Sequence, residues 1–214
     1  MSGSLDSVVM TKPSEYWSGA VSKYRTKDWS SKPSLFAQSI KKLLPQSGSL
    51  LELGSGVGND GEYFYTLGYA VTQTDLRDFR GKGNKSSSFR KLDMSKPVVL
   101  HDTYDIIYAH LSLHYFTFAR TETLFLELHN HLKKNGILAF LVNSTHDPEF
   151  GQGTKIEEHY YDFFGIAKRY FDQNDTKIFT TRLFKPLLLD DNGTSYKDSE
   201  DGMLRLVEFV GQKI

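Results

Sequence analysis

The sequence contains no cysteine. Disulfides, thiolate nucleophiles and zinc–sulfur centres are therefore excluded. It also has no net charge: 26 basic side chains stand against 26 acidic ones. A chain balanced in this way exerts no long-range pull on nucleic acid or on an acidic membrane surface. No apolar run approaches the length that crosses a bilayer. The N-terminus lacks the basic-then-apolar pattern of a secretory leader, which predicts a cytoplasmic protein. No internal repeat and no second-domain boundary are visible, so residues 1–214 read as one domain with a sizeable core. The surplus is in rings: 15 Phe and 12 Tyr suit a closed pocket or a covering segment.

The most informative stretch is Leu51-Glu52-Leu53-Gly54-Ser55-Gly56-Val57-Gly58-Asn59-Asp60. An apolar strand runs into three alternating glycines, and Tyr63-Phe64-Tyr65 then opens an amphipathic helix. Glycines at such a turn accept unusual backbone angles and let a ligand approach where a Cβ would stand. The helix that follows offers its free N–H groups to whatever sits on the turn. A dinucleotide turn follows G-x-G-x-x-G, but the sixth position here is Asn59. The next strand, Tyr69–Thr74, ends at Asp75-Leu76, where ligands of open α/β sheets bind. A carboxylate there can accept from both hydroxyls of a ribose; otherwise it is a turn aspartate.

The pattern acidic-x-G-x-G-x-G resembles motif I of the class I S-adenosylmethionine-dependent methyltransferases. The resemblance implies a seven-stranded, mostly parallel Rossmann-like α/β sheet with helices on both faces and an antiparallel C-terminal strand. It implies S-adenosyl-L-methionine as cofactor and S-adenosyl-L-homocysteine as product. Carried over residue by residue, it assigns Glu52, Gly54, Ser55, Gly56 and Gly58 to the cofactor turn. It assigns Asp75 and Leu76 to the ribose, Asp93 and Met94 to the adenine, and Ala109 to the strand end beside the methyl group. An N-cap is the rival reading of Asp93.

The strand predicted over Tyr104–Ala109 is followed by His110-Leu-Ser-Leu-His114-Tyr115-Phe116, which resembles motif IV. The D/N-P-P-Y/F form that holds a planar amine is absent, which argues against methylation of nucleobase amines; the form present looks more like small-molecule methyltransferases, including those of the tellurite and thiopurine type. His110 and His114 are four apart and share a face if that turn is helical. They read as a general base, as substrate-orienting or as packed side chains. The sequence is not H-E-x-x-H, no third ligand is evident, and no metal is expected.

Around this core, residues 1–33 read as an N-terminal extension or lid whose Tyr24 and Trp29 face the acceptor. Ser34 should cap a helix over residues 35–44, ended by Pro45 and Gly48. Residues 34–142 form the cofactor-binding core, with a third strand at 88–92, a helix over 118–132 ended by Lys133–Gly136, and a fifth strand at 137–142. Residues 143–214 form the substrate side: a loop with Asn143 and His146 as acceptor contacts beside Tyr115, together with Asp147 and Phe150. An aromatic helix over 157–171 follows, then antiparallel strands at 177–184 and 203–210, with a turn at Asp190–Gly193 between them. The implied reaction is methyl transfer to a small-molecule acceptor, with neither nucleic acid nor membrane as partner, by a monomer or homodimer. Two other readings share the strand, turn and acid: a nicotinamide-dependent oxidoreductase, and a non-catalytic cofactor-binding protein.

Overall fold

Strand order follows from where the apolar residues stand. The computed structural model describes residues 31–80, 87–193 and 205–214. Helix α1 (Leu35–Ile40) leads through a 3-10 turn to strand β1 (Ser49–Leu53). Helix α2 (Asn59–Thr66), β2 (Ala70–Asp75), β3 (Ser88–Lys91) and β4 (Tyr104–His110) follow. Then come helix α3 (Phe118–Asn130), β5 (Leu132–Asn143) and three short strands, β6 (Thr154–Glu157), β7 (Tyr160–Phe163) and β8 (Ile166–Arg169). Helix α4 (Gln173–Thr180), β9 (Phe184–Gly193) and β10 (Leu206–Lys213) complete the described chain.

Seven strands form one sheet in the order β3-β2-β1-β4-β5-β10-β9. The pairs from β3 through β5 are parallel, and β10 runs antiparallel to both of its neighbours. Strands covered on both faces must be apolar on both, and β4 is: Ile106 and Tyr108 face one way, Ile107 and Ala109 the other. On the first face Phe36, Ile40 and Phe64 from α1 and α2 pack over Leu50, Tyr108 and Leu141. On the second, Leu124, Phe125 and Leu128 from α3 and Phe179 from α4 pack over Leu53, Ile107 and Phe140. Strand order reverses between β1 and β4, so the crevice at their carboxyl ends is the place for a ligand. An open groove lined by Ser49, Tyr65, Val71 and Tyr104 lies at the opposite, amino ends.

Four expectations are corrected. Residues 157–171 are not a helix: most of them belong to the antiparallel sheet β6-β7-β8. Phe164 and Gly165 both have positive φ, which makes the two-residue turn that joins β7 to β8 with right-handed twist. Aromatic residues suit a strand, and the segment has no helical period to oppose it. The first half of the expected strand at 177–184 is instead the end of helix α4, capped by the Asp172 side chain, which accepts from Asp175 N–H at 2.8 Å. Asp190–Gly193 is not a turn but the end of β9. Lys133–Gly136 does not end α3; the helix stops at Asn130, and these residues form a bulge inside β5 between its pairings at Leu132 and Ile137. Ser34, by contrast, caps α1 as expected, accepting from Ala37 N–H at 3.0 Å. No helix among the described residues is long and apolar enough to cross a membrane.

Candidate functional site

The three glycines after β1 all have positive φ: +67° at Gly54, +53° at Gly56 and +87° at Gly58. Each is glycine for a different reason. A Cβ on Gly54 would run into the Ser112 side chain, whose hydroxyl donates to Leu53 C=O at 2.7 Å and ties the segment after β4 to the turn. A Cβ on Gly58 would meet Arg80 Cγ at 2.9 Å and Gln73 Nε2 at 3.0 Å. A Cβ on Gly56 would meet nothing within 4 Å among the described residues, so with respect to them the turn is open here. Ser55 N–H donates to Thr74 C=O at 2.9 Å, and the Ser55 hydroxyl is buried without a partner among the described residues.

Asp75 stands beside this opening. Its Oδ2 accepts from Gly56 N–H at 2.9 Å and its Oδ1 from Leu76 N–H at 2.7 Å. Each carboxylate oxygen has a second lone pair, so a pair of ligand hydroxyls can still be bound. Burial raises the Asp75 pKa, opposed by those two N–H bonds and by Arg77.

Glu52 lies beneath the turn rather than in the opening. It is 3% exposed and accepts from Gln73 Nε2 at 2.7 Å. Burial and then the charge of Asp60 push its carboxyl well above the usual range. Asp60, which the sequence reading left without a role, is also buried and accepts three hydrogen bonds. Two come from Ser34, through its N–H at 2.6 Å and its hydroxyl at 2.8 Å, and one from Tyr108 OH at 2.6 Å. Asp93 closes a local turn: its Oδ1 accepts from Ser95 N–H at 3.0 Å and from the Ser95 hydroxyl at 2.6 Å. Those bonds lower its pKa. Met94 packs against the core, and its carbonyl accepts from Arg120 Nε at 2.8 Å.

β4 carries the buried Ala109 and the half-buried His110 to the crevice. Leu111 then takes φ +53°, a strained value for a branched side chain. His114 is 2% exposed, its Nδ1 has no hydrogen-bond partner among the described residues, and its ring lies 4.2 Å from that of Tyr115. Burial, and then the positive charges of Lys168 and His110, lower its pKa to about 3. His110 and His114 thus share one segment, but His114 lies inside it rather than on an open face.

The β6-β7-β8 sheet covers this segment. Tyr160 OH donates to Tyr115 C=O at 3.0 Å, and Arg169 N–H to His114 C=O at 2.7 Å. Arg169 itself is 1% exposed and donates to Phe116 C=O at 3.1 Å and Glu158 C=O at 3.2 Å, with Glu157 as its ion-pair partner. Asn143, buried at the end of β5, interacts with Tyr170. His146 stands apart, exposed, with Nε2 3.6 Å from Asp191 Oδ2 on β9. Tyr24 and Trp29 lie outside the described residues. Arg169 was missed because its partners are distributed over the chain; its one signal was an arginine within an aromatic run. The group His159, Asp172 and Asp175 is closed on itself by His159 Nδ1 against Asp175 Oδ2 at 2.6 Å and by the helix cap.

Comparison with known proteins bears on this arrangement. A family model described as "Methyltransferase domain" matches residues 22–178. No curated protein matches the sequence at a significant level. Among solved structures, the chain is similar to a Burkholderia thailandensis 1,6-didemethyltoxoflavin-N1-methyltransferase, with TM-score 0.69 and 19% identity over 100% of this chain and 93% of that one. It is similar to TehB from Haemophilus influenzae, with TM-score 0.62 and 18% identity over 84% of this chain, which spans 61% of that one. A TehB-like S-adenosylmethionine-dependent methyltransferase from Corynebacterium glutamicum matches with TM-score 0.66 and 13% identity, over 94% of this chain and 100% of that one. Likenesses at these identities carry the fold.

Proposed function

The chain belongs to the methyltransferase-domain family, and from that premise we propose that it transfers a methyl group from S-adenosylmethionine to a small-molecule acceptor. One observation carries the reading: an open glycine turn lies directly beside a strand-end carboxylate, with Gly56 N–H and Asp75 Oδ2 2.9 Å apart. The residues present fit the cofactor: Gly56 with no Cβ at the opening, a Ser55 hydroxyl without a partner among the described residues, and Asp75 with lone pairs left for ribose hydroxyls. When bound, the cofactor supplies a methyl group already activated on a sulfonium. The chain's task is then to hold the acceptor in line and to exclude water. The end of β4 and the sheet β6-β7-β8 that covers it suit that task. The Burkholderia enzyme named above was solved with 1,6-didemethyltoxoflavin and S-adenosylhomocysteine. A small planar acceptor among Tyr115, Asn143 and the rings of β7 is consistent with that likeness. We take residues 1–214 as one cytoplasmic domain, monomeric or a homodimer, that acts on no nucleic acid.

Two measurements test this. S-adenosylhomocysteine should raise the melting temperature and NAD should not, because only ligands that favour the native state stabilise it. Asp75→Ala should weaken S-adenosylhomocysteine binding on the order of tenfold to a hundredfold, through loss of charge-assisted hydrogen bonds. A shift with NAD alone would return the oxidoreductase reading.

The histidines give a second prediction. A general base must be able to take up a proton near neutral pH, and a His114 that titrates at about 3 is poorly suited to it. We assign His114 to shaping the acceptor site. Replacing it by Gln should raise KM and leave the kcat profile flat between about pH 6 and 9. The same shift bears on stability. Its folded value lies below that of an unfolded histidine, so the folded chain binds fewer protons between about pH 3 and 6.5. His114 should therefore cost stability progressively as pH falls through that window, and His114→Gln should flatten the loss. A pH step in kcat that disappears only in His110→Gln would identify His110 as the base.

A further inference from the structure

We propose that Asp60 is a positioning residue for the cofactor: through Ser34 and Tyr108 it fixes the first turn of α2, and with it the glycine turn, against β4.

Asp60 stands two residues after Gly58 and is 7% exposed. Three chain segments meet on its carboxylate. Ser34, the cap of α1, donates its N–H to Oδ1 at 2.6 Å and its hydroxyl to Oδ2 at 2.8 Å. Tyr108 of β4 donates to Oδ2 at 2.6 Å, and the two hydroxyls are 3.1 Å apart. Tyr108 pairs with Glu52 across β1 and β4 and precedes Ala109 and His110 at the crevice. One carboxylate thus links the helix that follows the cofactor turn to the strand that leads to the acceptor.

The glycine turn needs such a boundary. Three glycines at positive φ have little conformational preference of their own. Their N–H groups point usefully only if the chain is fixed on both sides. On the β1 side Ser55 is held by Thr74 and Gly56 by Asp75. On the helix side the first turn of α2 is held by Asp60. Packing alone does not explain the arrangement. The Tyr108 ring already stacks on Phe36 at 5.8 Å and meets Phe64 edge-on at 5.0 Å, and phenylalanine would keep both contacts. The hydroxyl adds direction, and a fully satisfied buried polar network fixes a unique geometry.

The experiment compares wild type, Tyr108→Phe, Ser34→Ala, the double variant and Asp60→Asn. Calorimetry gives Kd for S-adenosylhomocysteine, and thermal melts without ligand give stability. Asp60→Asn replaces one acceptor oxygen by a donor and removes the charge that both hydroxyls meet, so it should weaken binding at least as much as Tyr108→Phe, by about tenfold or more; binding within about threefold of wild type in a folded Asp60→Asn would overturn the proposal. Tyr108→Phe and Ser34→Ala should each weaken binding about threefold to tenfold, because only part of a lost bond to a charged group is expressed at the neighbouring cofactor turn. The double variant should fall short of the product of the two, because both bonds end on one carboxylate. Folded variants with lower melting temperatures and unchanged Kd would show a purely structural network and overturn the proposal. Failure of wild type itself to bind S-adenosylhomocysteine would instead defeat the cofactor assignment, and the proposal with it.

Discussion

Gly56→Val should reduce S-adenosylhomocysteine affinity on the order of a hundredfold or more while the sheet still folds. Gly56 has φ +53°, and a Cβ there meets no heavy atom of the described residues within 4 Å. The valine side chain therefore enters the opening between the turn and Asp75 rather than the core. The backbone conformation is costly for a branched residue, by about 1–2 kcal/mol, which a folded domain tolerates. The loss should thus fall on the ligand, whose backbone-close position the side chain occupies. Gly54→Ala should behave in the opposite way. Its Cβ is directed into Ser112, which is buried and hydrogen-bonded to Leu53 C=O. That variant should melt lower with or without ligand. Calorimetry and paired melts of the two variants separate the roles; a folded Gly56→Val with wild-type affinity would show the turn to be structural only.

Much of this frame was legible because the sequence carries local signals for it. Glycines alternate between an apolar strand and an amphipathic helix, and Asp75 closes the next strand, so turn and carboxylate were both placed. The Ser34 cap and the strands up to Asn143 were recognisable by periodicity and by cap chemistry. The segment from Thr154 to Thr180 was not. Its strands turn at His159 and Phe164, two non-glycine residues at positive φ, which local preference does not anticipate. Its helix depends on Asp172 reaching Asp175 N–H, an Asp cap masked by the β-branched residues that follow. The role of Asp60 was out of reach for a different reason: its partners lie 26 and 48 residues away. A charged residue in a first helical turn reads as helix-dipole compensation, and only the fold brings Ser34 and Tyr108 to it. Glu52 shows the same limit. Sequence spacing marked it as the acid of the cofactor turn, but its hydrogen bond from Gln73, 21 residues away, comes only with the fold.

Arg169→Met should lower stability by about 3 kcal/mol, or about 10 °C in melting temperature for a chain of this size. Arg169 is 1% exposed, yet a guanidinium stays charged in a protein. Burial lowers its pKa, the sign of a cation removed from water. It is sustained by Phe116 C=O, Glu158 C=O and the Glu157 carboxylate, with the Phe118 and Tyr160 rings at 5.8 and 5.3 Å. Methionine fills much of the volume but removes the guanidinium from two carbonyls and from Glu157, whose carboxylate is left with Phe118 N–H and no cation. The loss should sit at the lower end for a broken buried pair, because the Glu157 side chain keeps 34% of its surface in water and can be rehydrated. Adding Glu157→Gln should restore part of it, since the uncompensated charge is then gone. The functional effect should be one-sided. Arg169 N–H binds His114 C=O, and its side chain binds Phe116, so it orders the acceptor segment rather than the glycine turn. S-adenosylhomocysteine affinity should stay within about threefold of wild type while KM for the acceptor rises. Denaturant melts, calorimetry and steady-state kinetics on the two variants check each part. A melting temperature within about 2 °C of wild type would show that the cation contributes no net stability, and an equal loss of cofactor affinity would show that the two halves of the site are not separable at Arg169.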